Sequence, residues 1–130
     1  MKRPRTIAEI AERVVTGADA FDPAVREFID AWQEMPDAER RRALQTEPAI
    51  LGGVKDAYLA AVAEHLASLG DLLPPAWTET PIRFLREPHF AGGLESLKAI
   101  LIAESPSAFR RRLIFVSADA LSRPRRAFAD

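Results

Sequence analysis

The sequence contains no cysteine, only two histidines and no long apolar run, and each absence excludes a class of function. Without cysteine there is no disulfide, no thiolate metal site and no cysteine nucleophile. No stretch approaches the roughly 20 apolar residues of a membrane-spanning helix, so we expect no membrane partner. The basic start, MKRPR, leads into alternating charge and does not resemble a secretory signal. The sequence therefore predicts a cytoplasmic protein.

A large excess of one charge sign is also missing, because 18 basic residues nearly balance 19 acidic ones and leave a net charge of −1. The first 70 residues carry a net charge of −3 and the remaining residues a net charge of +2. This distribution is weaker than the strong basicity of a dedicated nucleic-acid-binding domain. It favours a contact with another protein that is steered by charge.

The residue patterns that common enzymes require are absent as well. Glu64 and His65 point in different directions around a helix and lack a third metal ligand. The two glycine pairs are isolated and do not form a phosphate-binding loop, and no serine-nucleophile motif is present. We therefore predict that the protein is not an enzyme and has no catalytic residues, no metal site and no cofactor.

One pattern leaves a ribonuclease open as an alternative. Arg83 and His89 have the Arg-x5-His spacing of HEPN-type ribonucleases, which are also all-helical. A spacing this loose recurs easily by chance in a chain with 15 arginines. Pro88 also opposes the continuous helix that would present both side chains together.

A DNA-binding transcriptional regulator is a second alternative. Residues 6–14 resemble the first helix of a helix-turn-helix. However, Val15 occupies the position where that motif expects a glycine turn, and the next helix begins with a net acidic segment. Phosphate groups would repel such a segment, so a nucleic-acid partner is disfavoured.

Apolar residues at helical spacing predict two helices in the first 35 residues. Thr6 and Glu9 form a capping-box pattern before the first helix, which should end near Gly17. Asp22 followed by proline predicts the start of the second helix. The apolar stripe of this second helix comprises Val25, Phe28, Ile29 and Trp32.

Two further helices are predicted on either side of a glycine pair. Residues 38–46 form a short, charged third helix. The fourth, residues 54–69, has the most regular pattern, and Gly70 stands where a left-handed C-cap is expected. One face of this fourth helix comprises Val54, Tyr58, Ala61, Val62, His65, Leu66 and Leu69.

The second half of the sequence is less regular. Residues 71–81 contain three prolines and predict a loop, whereas residues 94–104 predict a buried helix. Residues 1–122 are therefore expected to form one all-α domain, a compact bundle of about five to seven helices with a proline-rich central loop. Residues 123–130 are predicted to be a flexible basic tail.

An arginine-rich segment near the C-terminus is the most informative part of the sequence. Ser105 followed by proline predicts a helix through Val116, although the apolar run at residues 113–116 would also suit a buried strand. We favour the helix because the sequence offers no obvious partner for a lone strand. The arginines of this segment are Arg110, Arg111, Arg112, Arg123, Arg125 and Arg126.

These six arginines and Trp77 are the candidate partner-binding residues. Three consecutive arginines on a helix spread over roughly 300° of arc and cannot all face one ligand. They form either a solvated surface or a partner-binding one. Trp77 follows two prolines in the central loop, where it either packs beneath the loop or anchors a partner.

Several sequence blocks resemble a group of small, uncharacterised bacterial proteins. They are DAYLAAVAEHL (56–66), PAW (75–77), RFL (83–85) and ESPSAFRRRLIFV (104–116). Some members of the group accompany nucleotidyltransferase-like toxins as antitoxins. The resemblance, which covers residues 54–118, implies a non-catalytic antitoxin or accessory subunit that binds and neutralises such a toxin. It assigns no functional residue, and neither the stoichiometry nor self-association follows from it.

Overall fold

The computed structural model describes residues 3–91, 102, 104–117 and 121, and these residues form a mostly helical fold. Its α-helices are α1 (Ile7–Thr16), α2 (Phe21–Gln33), α3 (Asp37–Gln45), α4 (Val54–Leu69) and α5 (Ser107–Arg110). Two 3₁₀-helices (Ala76–Glu79 and Pro81–Arg83) and two short strands, β1 (His89–Phe90) and β2 (Ile114–Phe115), complete the described elements. The predicted all-α class is confirmed. The predicted helix at residues 94–104 lies almost entirely outside the described residues, and the predicted tail lies wholly outside them.

Helix α1 begins and ends where the sequence predicts. The Thr6 hydroxyl accepts a hydrogen bond from the Glu9 amide at 3.2 Å, which satisfies one of the free amides of the first turn. Gly17 ends the helix in the left-handed conformation, with φ of +77°. Glycine adopts this conformation without the steric cost of a side chain.

Helix α2 begins slightly earlier than predicted. Its N-cap is Ala20, which forms no side-chain capping bond, and Asp22 lies inside the first turn. The predicted apolar stripe from Val25 to Trp32 is buried. At the other end of α2, the Arg40 guanidinium donates to the Trp32 and Gln33 carbonyl oxygens at 3.0 and 3.3 Å. These bonds satisfy carbonyl groups that have no partner within the helix.

Helix α4 is the central helix of the fold. Most of its side chains are buried, including the alanines between the predicted apolar positions, because α3, α5 and both 3₁₀-helices pack around it. Two details differ from the prediction. Leu69 is 70% exposed. Gly70 has φ of −91°, and the left-handed residue is instead Asp71, with φ of +57°.

The prediction of a helix through Val116 is wrong beyond Arg110, where α5 ends. Leu113 adopts a left-handed conformation, with φ of +64°, and redirects the chain into β2. Strand β2 pairs in parallel with β1, and the amide of His89 donates to the Leu113 carbonyl oxygen at 2.8 Å. The strand partner that the sequence did not reveal is therefore the two-residue strand that includes His89.

One hydrophobic core cluster draws buried residues from every described helix except the second 3₁₀-helix, and from β2. Its largest fully buried apolar side chains include Phe28 of α2, Leu59 of α4 and Phe109 of α5. The Tyr58 ring contacts the Phe109 ring edge-on at 5.2 Å, which fixes α5 against α4. Within the described ranges, no helix has the length and apolar character needed to cross a membrane.

Candidate functional site

Arg112, the last residue of the arginine triplet, is fully buried. Its Nη1 donates to the Glu64 carboxylate and to the Ala108 carbonyl oxygen, and its Nη2 donates to the Thr78 carbonyl oxygen at 2.7 Å. The guanidinium carbon lies 4.6 Å from the centroid of the Phe84 ring. Arg112 therefore joins α4, α5 and the first 3₁₀-helix. It cannot meet a partner at the surface, which corrects its assignment as a partner-binding residue.

Arg111 lies at the surface but is also bound within the chain. Its side chain is 42% exposed, and its two terminal nitrogens donate to the two carboxylate oxygens of Glu79 at 2.8 and 2.9 Å. A further bond reaches Glu64 at 2.8 Å. The bond between Arg111 and Glu79 raises the pKa of the guanidinium and lowers the pKa of the carboxyl. We call Arg111, Arg112, Glu64 and Glu79 the arginine clasp.

The arginine clasp has no net charge to offer a partner, because two guanidinium groups face two carboxylates. Arg110 differs, since it is exposed and forms no ion pair within the described residues. The other three candidate arginines, Arg123, Arg125 and Arg126, lie outside the described residues. Of the triplet, only Arg110 therefore presents a positive charge that no described residue compensates.

The second buried guanidinium belongs to Arg83. Its Nη2 donates to Glu47 at 2.9 Å and to the Pro48 carbonyl oxygen at 2.7 Å, and its Nη1 lies 3.7 Å from the Asp56 carboxylate. Its guanidinium carbon lies 5.0 Å from the centroid of the Trp77 ring. Arg83 thus fixes the second 3₁₀-helix to the start of α4 and to the chain after α3.

The geometry does not support a shared ribonuclease site at Arg83 and His89. Arg83 is buried and bound to carboxylates, whereas His89 is exposed on β1. His65 lies at the edge of the core, 6.2 Å from the Phe109 ring, and burial lowers its pKa. Across residues 3–91 and the later described positions, no group of three or more metal-binding side chains comes together.

Trp77 is packed beneath the central loop rather than exposed. Only 8% of the residue is accessible, and its indole Nε1 donates to the Leu44 carbonyl oxygen at 2.9 Å. This bond ties the first 3₁₀-helix to the C-terminal end of α3. The burial argues against Trp77 as an exposed anchor, and its role is to hold the loop in place.

This packing creates an open groove of about 920 Å³ between the end of α3 and the segment 71–77. We call it the α3 groove. The segment is fixed near both ends, because the Leu72 amide donates to the Ala67 carbonyl oxygen at 2.8 Å and Trp77 is bonded to α3. Between these points Leu73 is 93% exposed. The sequence gives little sign of this groove, because Leu73 lies in a proline-rich segment without periodicity.

The charges around the α3 groove are unequal. Arg41 lines it, Arg42 follows on the same helix, and neither forms an ion pair within the described residues. Glu47 also lines the groove, but its carboxylate is already paired with Arg83. Asp71 lies on the opposite wall. The α3 side of the groove is therefore positively charged.

Comparison of this chain with protein-family models, with curated proteins and with solved structures finds no match. The described elements themselves define an all-α fold.

Proposed function

We propose that the protein is a non-catalytic protein-interaction module that contacts its partner through the α3 groove. The exposure of Leu73 carries this proposal. A leucine that is 93% exposed beside an open groove gains little from the fold of its own chain. Contiguous exposed apolar surface beside a groove is typical of protein-binding surfaces, and Pro74, Pro75 and Ala76 continue the apolar lining from Leu73.

The groove is arranged before binding, which favours affinity. The bonds of Leu72 and Trp77 restrain the segment, and Pro74 and Pro75 fix two of its φ angles. Little conformational entropy is therefore lost when a partner binds. Burial of one leucine side chain contributes about 1.5–3 kcal/mol, which corresponds to about a ten- to hundredfold gain in affinity.

The charge of the groove indicates the chemistry of the partner. Arg41 provides positive charge on one side of the groove, and Leu73 provides an apolar contact on the other. Arg42 adds a second positive charge on α3 outside the groove lining. The complementary surface is an apolar segment with carboxylates at one edge. In this proposal Arg41, rather than Arg111 or Arg112, is the arginine that meets the partner in the groove.

We further propose that this partner is a nucleotidyltransferase-like toxin encoded beside this chain, which would make the protein an antitoxin. The resemblance of residues 54–118 to companions of such toxins supports the choice. An enzyme of that kind has an acidic, metal-binding cleft, which would supply carboxylates. A neutralising protein needs no active site of its own, only a folded surface that covers part of the toxin.

The test is co-expression of this protein with the tagged product of the neighbouring gene, followed by affinity purification and light scattering. Leu73→Glu places a charge in the apolar contact and should weaken the complex at least tenfold. Val15→Glu is the matched control, because Val15 is 66% exposed on α1 and does not line the groove. This control should leave binding unchanged.

Charge reversal separates the two arginine surfaces. Arg41→Glu with Arg42→Glu should weaken the complex, whereas Arg110→Glu should have little effect. The opposite result would return the contact to the arginine triplet and refute the groove. Failure of the neighbouring product to bind would refute the antitoxin role. A dimer of this chain that Leu73→Glu dissociates would show that the groove binds a second copy instead.

A further inference from the structure

A second cavity, of about 500 Å³, opens beside the first turns of α2 and α4 and beside β1. Cavities that bind small molecules usually measure about 300–1,000 Å³. None of the residues that line this cavity lines the α3 groove. The proposed contact with a toxin therefore leaves it unexplained.

Apolar side chains supply much of the cavity lining, and an aromatic ring among them is held rigidly. The Tyr58 ring contacts the Phe21 ring edge-on at 5.8 Å and the Phe109 ring edge-on at 5.2 Å. Rings fixed on two sides provide a preformed surface for a hydrocarbon group. The aliphatic part of the lining comprises Val25, Ile29, Val54, Ala91 and Leu121.

Three of the polar side chains that line the cavity lack an ion pair or a hydrogen-bond partner among the described residues. Within the described residues, Arg26 and Lys55 form no ion pair, and the Lys55 ammonium lies 5.9 Å from the Phe21 ring centroid. The Tyr58 hydroxyl has no hydrogen-bond partner there either. Burial, together with the charge of Asp22, raises the pKa of Tyr58. The hydroxyl therefore keeps its proton at neutral pH and is available as a donor.

We propose that this cavity binds a small monocarboxylate with an aromatic or branched hydrocarbon body. Arg26 and Lys55 supply two positive charges against the one negative charge of Asp22, which leaves one to balance a single carboxylate. The Tyr58 hydroxyl donates a hydrogen bond to that carboxylate, and the hydrocarbon body packs against the apolar lining. A dianion such as a phosphate monoester is disfavoured, because an apolar lining does not repay its larger desolvation cost.

The chain contains a single tyrosine, so a ¹³C label at the tyrosine ζ carbon gives one NMR signal, from Tyr58 on the cavity wall. The probe is 3-phenylpropanoate, titrated into the whole protein. We expect its addition to shift the Tyr58 signal and to saturate below about 10 mM. The neutral 3-phenylpropan-1-ol and the cationic 3-phenylpropylamine should bind at least tenfold more weakly. Equal binding of the three compounds, or no shift with the carboxylate, would overturn the proposal.

Single substitutions identify which charged side chains bind the carboxylate. Lys55→Met and Arg26→Met should each weaken 3-phenylpropanoate binding about tenfold, because each removes a charge-assisted contact. Arg42→Met is the matched control outside the cavity and should bind like the parent protein. Circular dichroism checks that each variant is folded. Leu73→Glu should also bind the carboxylate normally, so this proposal and the proposed toxin contact can fail independently.

Discussion

The consecutive arginines Arg110, Arg111 and Arg112 have three different environments in one short segment. The first is exposed and unpaired within the described residues, the second is 42% exposed and paired, and the third is buried and paired. Substitution of each by methionine removes the charge and keeps most of the aliphatic stem. We expect Arg112→Met to reduce the free energy of unfolding far more than the other two substitutions.

The structure sets the size of each effect. Removal of one partner from a buried ion pair costs about 3–5 kcal/mol, because the remaining carboxylate and carbonyl groups lose their donor. Arg112→Met leaves the Thr78 and Ala108 carbonyl oxygens without this donor and removes one of the two arginines bound to Glu64. Arg111→Met breaks a partly exposed pair and should cost less than about 1 kcal/mol. Arg110→Met should change the stability by less than about 0.5 kcal/mol.

Urea unfolding followed by tryptophan fluorescence measures these differences. With a slope of about 1–3 kcal/mol per M, a loss of about 4 kcal/mol lowers the midpoint by about 2 M. If Arg112→Met does not fold, Arg112→Lys is measured instead. Lysine keeps the positive charge but has one terminal nitrogen in place of two, so it should reduce the free energy of unfolding by less than methionine does. A midpoint for Arg112→Met equal to that for Arg110→Met would show that the clasp does not stabilise the fold.

Three other outcomes follow from caps, buried bonds and titrating groups. Thr6→Ala removes the α1 cap and should cost about 1 kcal/mol in chemical denaturation, with Thr16→Ala as the exposed control. Trp77→Phe removes the indole bond to α3 and should cost about 1–3 kcal/mol and raise amide exchange in the loop at 71–77. Folding lowers the pKa of His65 below its ordinary value of 6.5 and the pKa of Glu79 below its ordinary value of 4.5. Near each of these two values, the unfolded chain therefore binds more protons than the folded protein. Stability should therefore fall as the pH drops through each value, beginning about one unit above it. His65→Gln should abolish only the upper step, and a loss that begins above about pH 8 would contradict this assignment.

Local patterns in the sequence predicted much of the helical part of the fold. The Thr6 cap and Gly17 stop bound α1 because these signals act between neighbouring residues. The burial of most α4 side chains was harder to predict. Its buried alanines lie on several faces of the helix, so they do not mark one apolar face in the sequence. The two-residue strands were missed, because their pairing depends on Leu113 adopting a positive φ that its sequence context does not signal.

The buried arginines were missed for a different reason. Arginine is almost never fully buried unless it is paired, so composition places Arg83 and Arg112 at the surface. Their carboxylate partners lie at least 27 positions away in the sequence, and no local spacing connects the members of each pair. Three neighbouring arginines cannot all face one direction, but that argument does not identify the one that turns inward.

The two buried arginines also explain how an irregular segment becomes a stable part of the site. Residues 76–83 form only short 3₁₀-helices, which supply few hydrogen bonds of their own. Arg112 binds a main-chain carbonyl within this segment, and Arg83 extends from its far end to the start of α4. Trp77 directly precedes the carbonyl that Arg112 binds, and its ring contacts the Arg83 guanidinium. Because Trp77 also holds the adjacent loop to α3, the arginines indirectly fix the wall of the α3 groove. Arginine thus stabilises this surface from inside, whereas the exposed Arg41 places a positive charge at the edge of the groove.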